Sequence, residues 1–330
     1  MARVKARLLW MSSSALAFAA CGEGDPADVS TTSARVVYGD DDRKDVYEVT
    51  GDVRDLATRS IVAIVEDGKL DESDPSDIRV VGESVGTSLG LCRSERFWDD
   101  PVAASCSGTL IADDLVLTAA HCLGSGMAAQ STFGAAQACK TRRFVFGYYK
   151  DSERDMHPIT SDDVFACEEP LVFRKQGARI GSARVDLDFA VVRLDRSATP
   201  RFSPVKLRPD PEQLAGSSLT VFGFPSGMPL KVAGNGSVTD VRAQGDFFSA
   251  TVDTFAGNSG SGIFDSKTLE QGGGLLGGEP DYESNGTCSV VSRCSSDGCD
   301  GKRSERIHQI GLALEMYCAE KDARPSLYER

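Results

Sequence analysis

An all-β fold is predicted for this chain of 330 residues from its strand-like runs, its turn residues and its scarcity of long helical patterns. Short apolar runs recur along the sequence, and Gly, Pro, Asp and Ser punctuate them, as is typical of strands joined by turns. The content of 33 glycines suits a turn-rich β protein. The apolar runs occupy residues 60–65, 143–147, 189–194, 219–223, 247–252 and 274–276.

One short helix is predicted near the C-terminal end, from Ser304 to about Cys318. Ile307, Ile310, Leu314 and Cys318 recur there at the spacing of one helical face. We expect this helix to pack against the core of the protein.

The N-terminal part of the chain differs in composition from the strand-rich body. Residues 1–20 combine early basic residues with an apolar stretch, which is typical of a bacterial signal segment and too short for a membrane span. The residues around Cys21 resemble a lipobox, which predicts lipidation of Cys21 and a membrane-anchored lipoprotein. Phe18 replaces the usual leucine of that motif. The alternative is ordinary cleavage near Ala19 or Ala20, which would release a soluble secreted or periplasmic protein.

Residues 21–57 are predicted to form an acidic tether or a pro-like extension. The stretch 21–33 is small, polar and acidic, as in a flexible tether. Residues 36–57 form either a short extension that packs on the folded body or more linker. The body itself is predicted at 58–318, and a polar tail follows at 319–330.

The 10 cysteines indicate an exported protein, because a reducing cytosol does not maintain so many disulfides. Metal-site spacing is weak: Cys294 and Cys299 lack a partner pair of the zinc-ribbon kind. No metal and no other cofactor is therefore predicted.

Disulfide pairing is only partly predictable from the cysteine positions. Cys139 and Cys167 bracket one strand and loop and are predicted to pair. A local bridge is expected within one Gly/Ser/Asp-rich loop, whereas two further cysteines cannot be placed. The loop cysteines are Cys288, Cys294 and Cys299, and the unplaced ones are Cys92 and Cys318.

The net charge of −13 argues against nucleic acid as a partner, because nucleic-acid binding demands a basic surface. The acidic runs at 40–42 and 66–77 are predicted to form a solvated face. A protein or peptide is the expected partner, and the chain is expected to be a monomer.

Residues 118–122, Thr-Ala-Ala-His-Cys, place His121 at a corner of small residues that Cys122 follows at once. The preceding residues 107–117 are predicted to form two short strands joined by a polar turn. A disulfide between Cys106 and Cys122 would fix this corner. Because the chain holds only 3 histidines, the pattern favours a catalytic base over a histidine packed beside a structural disulfide.

Ser259 is the candidate nucleophile, within the run Gly-Asn-Ser-Gly-Ser-Gly at 257–262. Glycines on both sides allow a tight turn that presents the hydroxyl outward. The N–H groups of Gly257 and Ser259 would then form an oxyanion hole. A glycine-serine surface turn is the simpler interpretation, but it does not explain the apolar strands at 248–252 and 263–264 that frame the run.

Asp188 is the candidate acid that orients the histidine, because it stands directly before the apolar strand 189–194. Asp186 is its competitor, since it would point to the same side of an extended chain. Asp195 ends the strand and is predicted to be a solvated turn residue.

The order histidine, aspartate, serine excludes the α/β-hydrolase arrangement, in which the serine comes first. The order and the three local contexts resemble the chymotrypsin-like (trypsin-fold) serine peptidases over roughly residues 58–315. The Gly-Asn-Ser-Gly-Ser form is similar to a bacterial branch that includes glutamyl endopeptidases and trypsin-like peptidases. The resemblance implies two antiparallel β-barrels, at about 58–200 and 201–318, with the catalytic triad in the cleft between them.

The resemblance also implies a role for each candidate residue. Ser259 would attack a peptide carbonyl, His121 would accept and return its proton, and Asp188 would hold the imidazole in the needed tautomer. The function implied is that of a serine endopeptidase acting through an acyl-enzyme intermediate. The alternative from another class is a catalytically inactive trypsin-fold binding lipoprotein.

Substrate preference has two open interpretations at Asp253. Trypsins carry an aspartate at this offset before the nucleophile, where it pairs with Lys or Arg of the substrate, so the resemblance implies a basic preference. Alternatively, Asp253 accepts hydrogen bonds from loop N–H groups. Leu275 stands where glutamate-specific relatives use a histidine, so glutamyl specificity is not expected. Gly277 and Gly278 would form the wall along which the substrate backbone pairs.

Asn258 marks a departure from the family pattern. Trypsins carry an aspartate there, which pairs with the N-terminus freed on zymogen cleavage. A neutral amide cannot form that ion pair, so activation by a buried new N-terminus is not expected. Gly262 stands where bacterial relatives usually have proline, and this replacement removes no chemical group that the reaction needs.

Overall fold

A computed structural model of the protein describes residues 37–124, 132–175, 177–180, 183–208, 216–241, 247–277, 281–294 and 305–309, with Cys318 and Lys321. Its β-strands are, in chain order, β1 (Val37–Tyr38), β2 (Lys44–Asp45), β3 (Ile61–Glu66), β4 (Leu70–Asp71), β5 (Arg79–Val80), β6 (Ala104–Ala112), β7 (Leu115–Thr118), β8 (Arg142–Val145), β9 (Val164–Arg174), β10 (Gly177–Ile180), β11 (Ala183–Asp186), β12 (Phe189–Leu194), β13 (Ser218–Gly223), β14 (Lys231–Val241), β15 (Phe247–Ala250), β16 (Gly262–Asp265), β17 (Gln271–Gly277), β18 (Tyr282–Ser284), β19 (Ser289–Val291), β20 (Arg293–Cys294) and β21 (Glu305–Gln309). The α-helices are α1 (Gly51–Ser60), α2 (Val85–Ser88) and α3 (Thr132–Cys139), and single 3₁₀ turns occupy Val46–Glu48, Ala120–Leu123, Ser161–Asp163 and Pro225–Gly227.

The first barrel closes in the strand order β12-β7-β6-β3-β8-β9. The sequence of β3 is a continuous apolar run rather than an alternating one, and the packing of the strand explains this pattern. Val62 and Ile64 point into the barrel, whereas Ile61 and Ala63 on the opposite face join a second cluster that includes Phe222 of the other barrel. Both faces of β3 are therefore buried, which favours an unbroken β-branched segment.

The second barrel is built from a seven-stranded sheet in the order β13-β16-β17-β21-β15-β14-β2. A further pairing between β13 and β14 closes the ring and leaves β2 as an added strand. Its interior is filled by apolar side chains from strands around the ring, including Leu219, Phe248, Ile263 and Leu275. The prediction of an all-β fold with two barrels is confirmed.

The prediction of a helix beginning at Ser304 is wrong for residues 305–309, which form β21. The strand pairs with β15 on one side and with β17 on the other, so that Ile307 lies opposite both Phe248 and Leu275. These pairings complete the second barrel, and they override the helical spacing of the apolar residues. Residues 310–317 lie outside the described part of the chain, and Cys318 is helical.

Residues 37–57 pack on the barrels. Strand β1 pairs with β20, β2 pairs with β14, and the side chains of Val37 and Val46 are fully buried. The predicted domain boundary at residue 58 falls inside helix α1. The predicted tether and Cys21 lie outside the described residues.

Three disulfides join described cysteines. Cys106–Cys122 and Cys139–Cys167 pair as predicted. Cys288 pairs with Cys92, 196 positions earlier in the chain, so it takes no part in the local bridge expected among Cys288, Cys294 and Cys299. A bridge between Cys294 and Cys299 stays a prediction. Cys294 lies in β20, Cys299 lies outside the described residues, and Cys318 is an exposed free thiol. None of the described helices combines the length and apolarity that crossing a membrane requires.

Candidate active site

His121 stands on the 3₁₀ turn that follows β7, and the first barrel fixes that turn from both sides. Ala119 and Ala120 are buried, and the Cys106–Cys122 disulfide ties the turn to β6. Small residues are needed at this corner because the turn packs into the barrel wall while the imidazole remains partly exposed, at 32% of the side chain.

Asp188 holds His121 through two hydrogen bonds. The backbone N–H of His121 donates to Oδ1 at 2.9 Å, and Nδ1 lies 2.7 Å from Oδ2. Because β12 pairs with β7, with Ala190 opposite Thr118, the residue before β12 is placed beside the residue after β7. A proton on Nδ1 leaves Nε2 as the acceptor, which is the tautomer that a general base requires.

Asp186, the competing acid, ends strand β11. Its backbone pairs with Gly177 of β10. Among the acids at this strand end, Asp188 has the contacts to His121 on both of its oxygens.

The Ser259 turn lies against the histidine corner. Gly257 and Gly260 adopt φ of +91° and +82°, a region that favours glycine. A Cβ on Gly260 would lie only 2.3 Å from Thr118 Oγ1 and 2.8 Å from the backbone nitrogen of Ala119. The glycine after Ser259 is therefore what allows the serine turn and the histidine corner to approach.

The N–H groups of the serine turn follow an informative pattern. Four of them donate to protein acceptors: those of Ala256, Asn258, Gly260 and Ser261. Within the described part of the chain, the N–H groups of Gly257 and Ser259 donate to no acceptor. These two are the donors that the sequence assigns to an oxyanion hole, and they are available to an incoming oxygen.

Ser107 is a residue of the site that the sequence did not reveal. Its N–H donates to the carbonyl of Ser259 at 2.9 Å, and its hydroxyl donates to the carbonyl of Gly257 at 2.8 Å. The same hydroxyl accepts the N–H of Phe224 at 3.1 Å. The first barrel thus holds the nucleophile turn of the second through one fully buried serine. The neighbouring cysteine, Cys106, is the only local signal for this position.

Asp253 is buried, with 5% of its surface exposed. Its Oδ1 accepts the N–H of Tyr38 at 2.9 Å, and its Oδ2 accepts the N–H of Asp42 at 3.3 Å. Burial, with a smaller contribution from the neighbouring carboxyl group of Asp42, raises the pKa of Asp253 to about 7. Asp253 therefore fastens the segment before β2 to the base of the nucleophile loop.

The predicted substrate wall is only partly described. Gly277 ends β17, opposite Arg306 of β21, and Gly278 lies outside the described residues. Leu275, two residues earlier, is buried, and its carbonyl accepts the N–H of Gly260 at 2.8 Å.

His121, Cys106 and Cys122 have side-chain donor atoms within 4.8 Å of one another, as metal ligands do. The two sulfurs are joined in a disulfide, however, and metal ligation by cysteine requires thiolates. This cluster therefore does not fit a metal ion.

Comparison with known proteins agrees with this geometry. The sequence matches the family model of the trypsin-like peptidase domain over residues 106–269, a range that contains His121, Asp188 and Ser259. The chain is 26% identical over 176 residues to Serine protease 23 of Homo sapiens, and 25% identical to that of Rattus norvegicus. Each alignment covers 49% of this chain and 43% of the relative.

Solved structures with a similar course of the chain include a Glu endopeptidase and the VesB protease of Vibrio cholerae. The first is 20% identical, covers 87% of this chain and 100% of its own, and has a TM-score of 0.49. The second is 15% identical, covers 86% and 66%, and has a TM-score of 0.45. The match of the trypsin-like peptidase domain over residues 106–269 supports a chymotrypsin-like serine peptidase.

Proposed function

We propose that this protein is a serine endopeptidase in which Ser259, His121 and Asp188 act as the catalytic triad. The observation that carries the proposal is the pair of hydrogen bonds between His121 and Asp188, beside a serine turn in which two N–H groups donate to no acceptor among the described residues. This arrangement provides a base, its orienting acid, and a site for negative charge.

The chemistry follows from these positions. His121 Nε2 takes the hydroxyl proton of Ser259 as Oγ bonds to the peptide carbonyl carbon. The carbonyl oxygen becomes an oxyanion, which accepts hydrogen bonds from the N–H groups of Gly257 and Ser259. The imidazolium then gives its proton to the leaving amine, and the C–N bond breaks. Water, deprotonated by His121, hydrolyses the acyl-enzyme ester and restores Ser259.

Asp188 contributes orientation and charge to these steps. Its Oδ2 fixes Nδ1–H, so that Nε2 stays directed outward, and its negative charge stabilises the imidazolium that forms. Its bond to the backbone of His121 also fixes the turn itself, so side chain and main chain are positioned by one carboxylate.

The predicted preference for Lys or Arg depends on the role of Asp253. The hydrogen bonds from Tyr38 and Asp42 occupy both of its oxygens and support the alternative role, in which Asp253 is a structural acceptor. We propose that structural role for Asp253. A peptide-cleavage profile that changes from basic to neutral residues in Asp253→Ser would contradict it.

We further propose that the protein is exported, anchored through a lipid at Cys21, and monomeric. Three disulfides among the described residues support an oxidising compartment. Membrane partition of wild type and Cys21→Ser tests the anchor, since only the wild type should enter the detergent phase. Size-exclusion chromatography with light scattering tests the monomer.

The decisive test of activity is labelling by a fluorophosphonate probe combined with cleavage of a peptide library. Wild type should be labelled and active, whereas Ser259→Ala and His121→Ala should lose both properties. Asp188→Asn should keep the fold but lower kcat by about 10³ to 10⁴, because the amide favours the wrong tautomer.

His157 offers a matched control for His121. Its Nδ1 lies 2.8 Å from Asp151 Oδ2, and its ring stacks on Tyr149 rather than on the nucleophile turn. His157→Ala should therefore keep labelling and cleavage. Wild-type protein that is correctly oxidised but neither labelled nor active would instead support the inactive binding protein.

A further inference from the structure

A cavity of about 260 Å³ adjoins the peptide between Ala256 and Gly257, next to one donor of the oxyanion hole. Its other walls include Leu89, Asp281 and Tyr282. Pockets for drug-sized ligands hold roughly 300–1,000 Å³, so this cavity suits a single side chain. Because Gly257 itself forms a wall, a side chain in the cavity belongs to a substrate residue close to the cleaved bond.

Among the described residues that line this cavity, Asp281 carries the only charged side chain. Its Oδ2 accepts the N–H of Ala256 at 2.7 Å. In the described part of the chain, its Oδ1 receives no hydrogen bond, and the residue is partly exposed. A carboxylate that lines the cavity therefore has one oxygen with unused capacity to accept a hydrogen bond.

Arg43, a positive charge that acts on Asp281, already pairs with Asp41. Arg43 lowers the pKa of Asp281, against the larger effect of burial, which raises it to about 6. The guanidinium of Arg43, however, donates from Nε and Nη2 to the two oxygens of Asp41, at 2.9 and 2.7 Å. Asp281 is therefore ionised at pH 8 and is not the direct partner of Arg43.

The remaining walls fit the stem of a long amphipathic side chain. Leu89 is 39% exposed, an unusual degree for a large apolar residue in this structure. The ring of Tyr282 is held by a 2.7 Å hydrogen bond between its hydroxyl and that of Ser226. The Cys92–Cys288 disulfide ties together the two segments that carry Leu89 and Tyr282, so both walls are pre-organised.

We propose that Asp281 forms a subsite for a Lys or Arg side chain of the substrate, with Leu89 and Tyr282 packing along the aliphatic stem. Lys and Arg bury their stems on apolar surface while the charged end meets a polar partner. The inference extends the proposed peptidase function, since the ligand is a residue of its substrate. It also assigns a basic preference to Asp281 in place of Asp253.

The test compares Asp281→Asn with Asp253→Asn. Asparagine at 281 retains an oxygen for the N–H of Ala256 but removes the charge. In a library of peptides that vary one residue at a time, wild type should cleave best with Lys or Arg at one position near the cleaved bond. At that position, Asp281→Asn should lower the ratio of kcat/KM for Lys over Gln by about tenfold or more. Asp253→Asn should keep the ratio.

An unchanged Lys/Gln ratio in Asp281→Asn would overturn the subsite, and a ratio that also falls in Asp253→Asn would return the basic preference to Asp253. Calorimetric binding to Ser259→Ala protein provides a readout that needs no catalysis. There, a Lys peptide should bind more tightly than its Gln analogue, and Asp281→Asn in the same background should remove the difference. Absence of labelling and cleavage in wild type would reject the peptidase, while this binding measurement would still decide the subsite.

Discussion

Stability should fall as pH rises, because Asp253 and Asp42 are buried together. Burial raises the pKa of both carboxyl groups, and that of Asp253 reaches about 7. The two carboxyl groups interact electrostatically, and Asp42 Oδ1 is buried with no hydrogen-bond partner among the described groups. Deprotonation leaves two adjacent buried charges, which is unfavourable.

The direction and the size of this pH dependence of stability follow from proton linkage. The folded-state pKa of about 7 exceeds the ordinary value of 3.8, so the folded protein binds more protons between these values. The stabilisation is fully present below about pH 4 and is lost as pH rises through about 7. A difference of about 3 pKa units corresponds to about 4 kcal/mol in the free energy of unfolding.

The perturbation that removes this dependence is Asp253→Asn. Asparagine keeps an acceptor for the N–H of Tyr38, loses the longer bond from Asp42, and carries no titrating proton. The lost bond lowers stability by a constant amount. The informative quantity is therefore the difference between wild type and variant as a function of pH.

Urea unfolding with intact disulfides, in a Ser259→Ala background that prevents self-cleavage, measures this difference. Relative to wild type, the variant should gain up to about 4 kcal/mol between pH 4 and pH 8. Asp99→Asn is the matched control, since that carboxyl group is 80% exposed, and its profile should parallel that of wild type. Parallel profiles for Asp253→Asn as well would refute the raised pKa of Asp253.

Two further predictions concern stability. Gly260→Ala should cost about 2–5 kcal/mol, because the residue has φ of +82° and its Cβ would meet a backbone oxygen at 2.3 Å; a urea midpoint equal to that of wild type would contradict the close approach. Lys231→Met should cost about 3–5 kcal/mol, because the buried ammonium contacts Asp45 and, at 2.6 Å, Asp100. Thermal unfolding checks this value, and the loss should shrink at acidic pH, because burial raises the pKa of Asp45 and its protonation removes one of the charges that the ammonium compensates.

Local patterns predicted those parts of the site that depend on neighbouring residues. The corner at His121 could be recognised because Cys106 and Cys122 bracket a single hairpin. The serine turn could be recognised because its glycines and Ser259 are consecutive. Asp188 was identifiable from its place at the head of an apolar strand, although only the pairing of β12 with β7 brings it to His121.

Pairings between distant residues were not predictable in this way. Helical spacing near Ile307 suggested a helix, but the second barrel needed a strand between β15 and β17. Cys288 shares a loop with Cys294 and Cys299, but its partner is Cys92, which the folded chain brings close. The strand at Ile307 and the partner of Cys288 both depend on which distant segments of the chain lie side by side in the fold. A local sequence pattern carries no information about such contacts.

The sequence by itself determined the all-β class, the candidate residues His121, Asp188 and Ser259, and two of the disulfides. Tertiary structure decided how Asp253 and Asp281 differ. Asp253 receives the N–H of Tyr38, 215 positions away in the chain, and is closed off by that segment. Asp281 accepts the N–H of Ala256 and lines a cavity. The two carboxylates have the same intrinsic chemistry, and their different burial and hydrogen-bond partners, both set by the fold, are the basis for proposing a structural role for one and a binding role for the other.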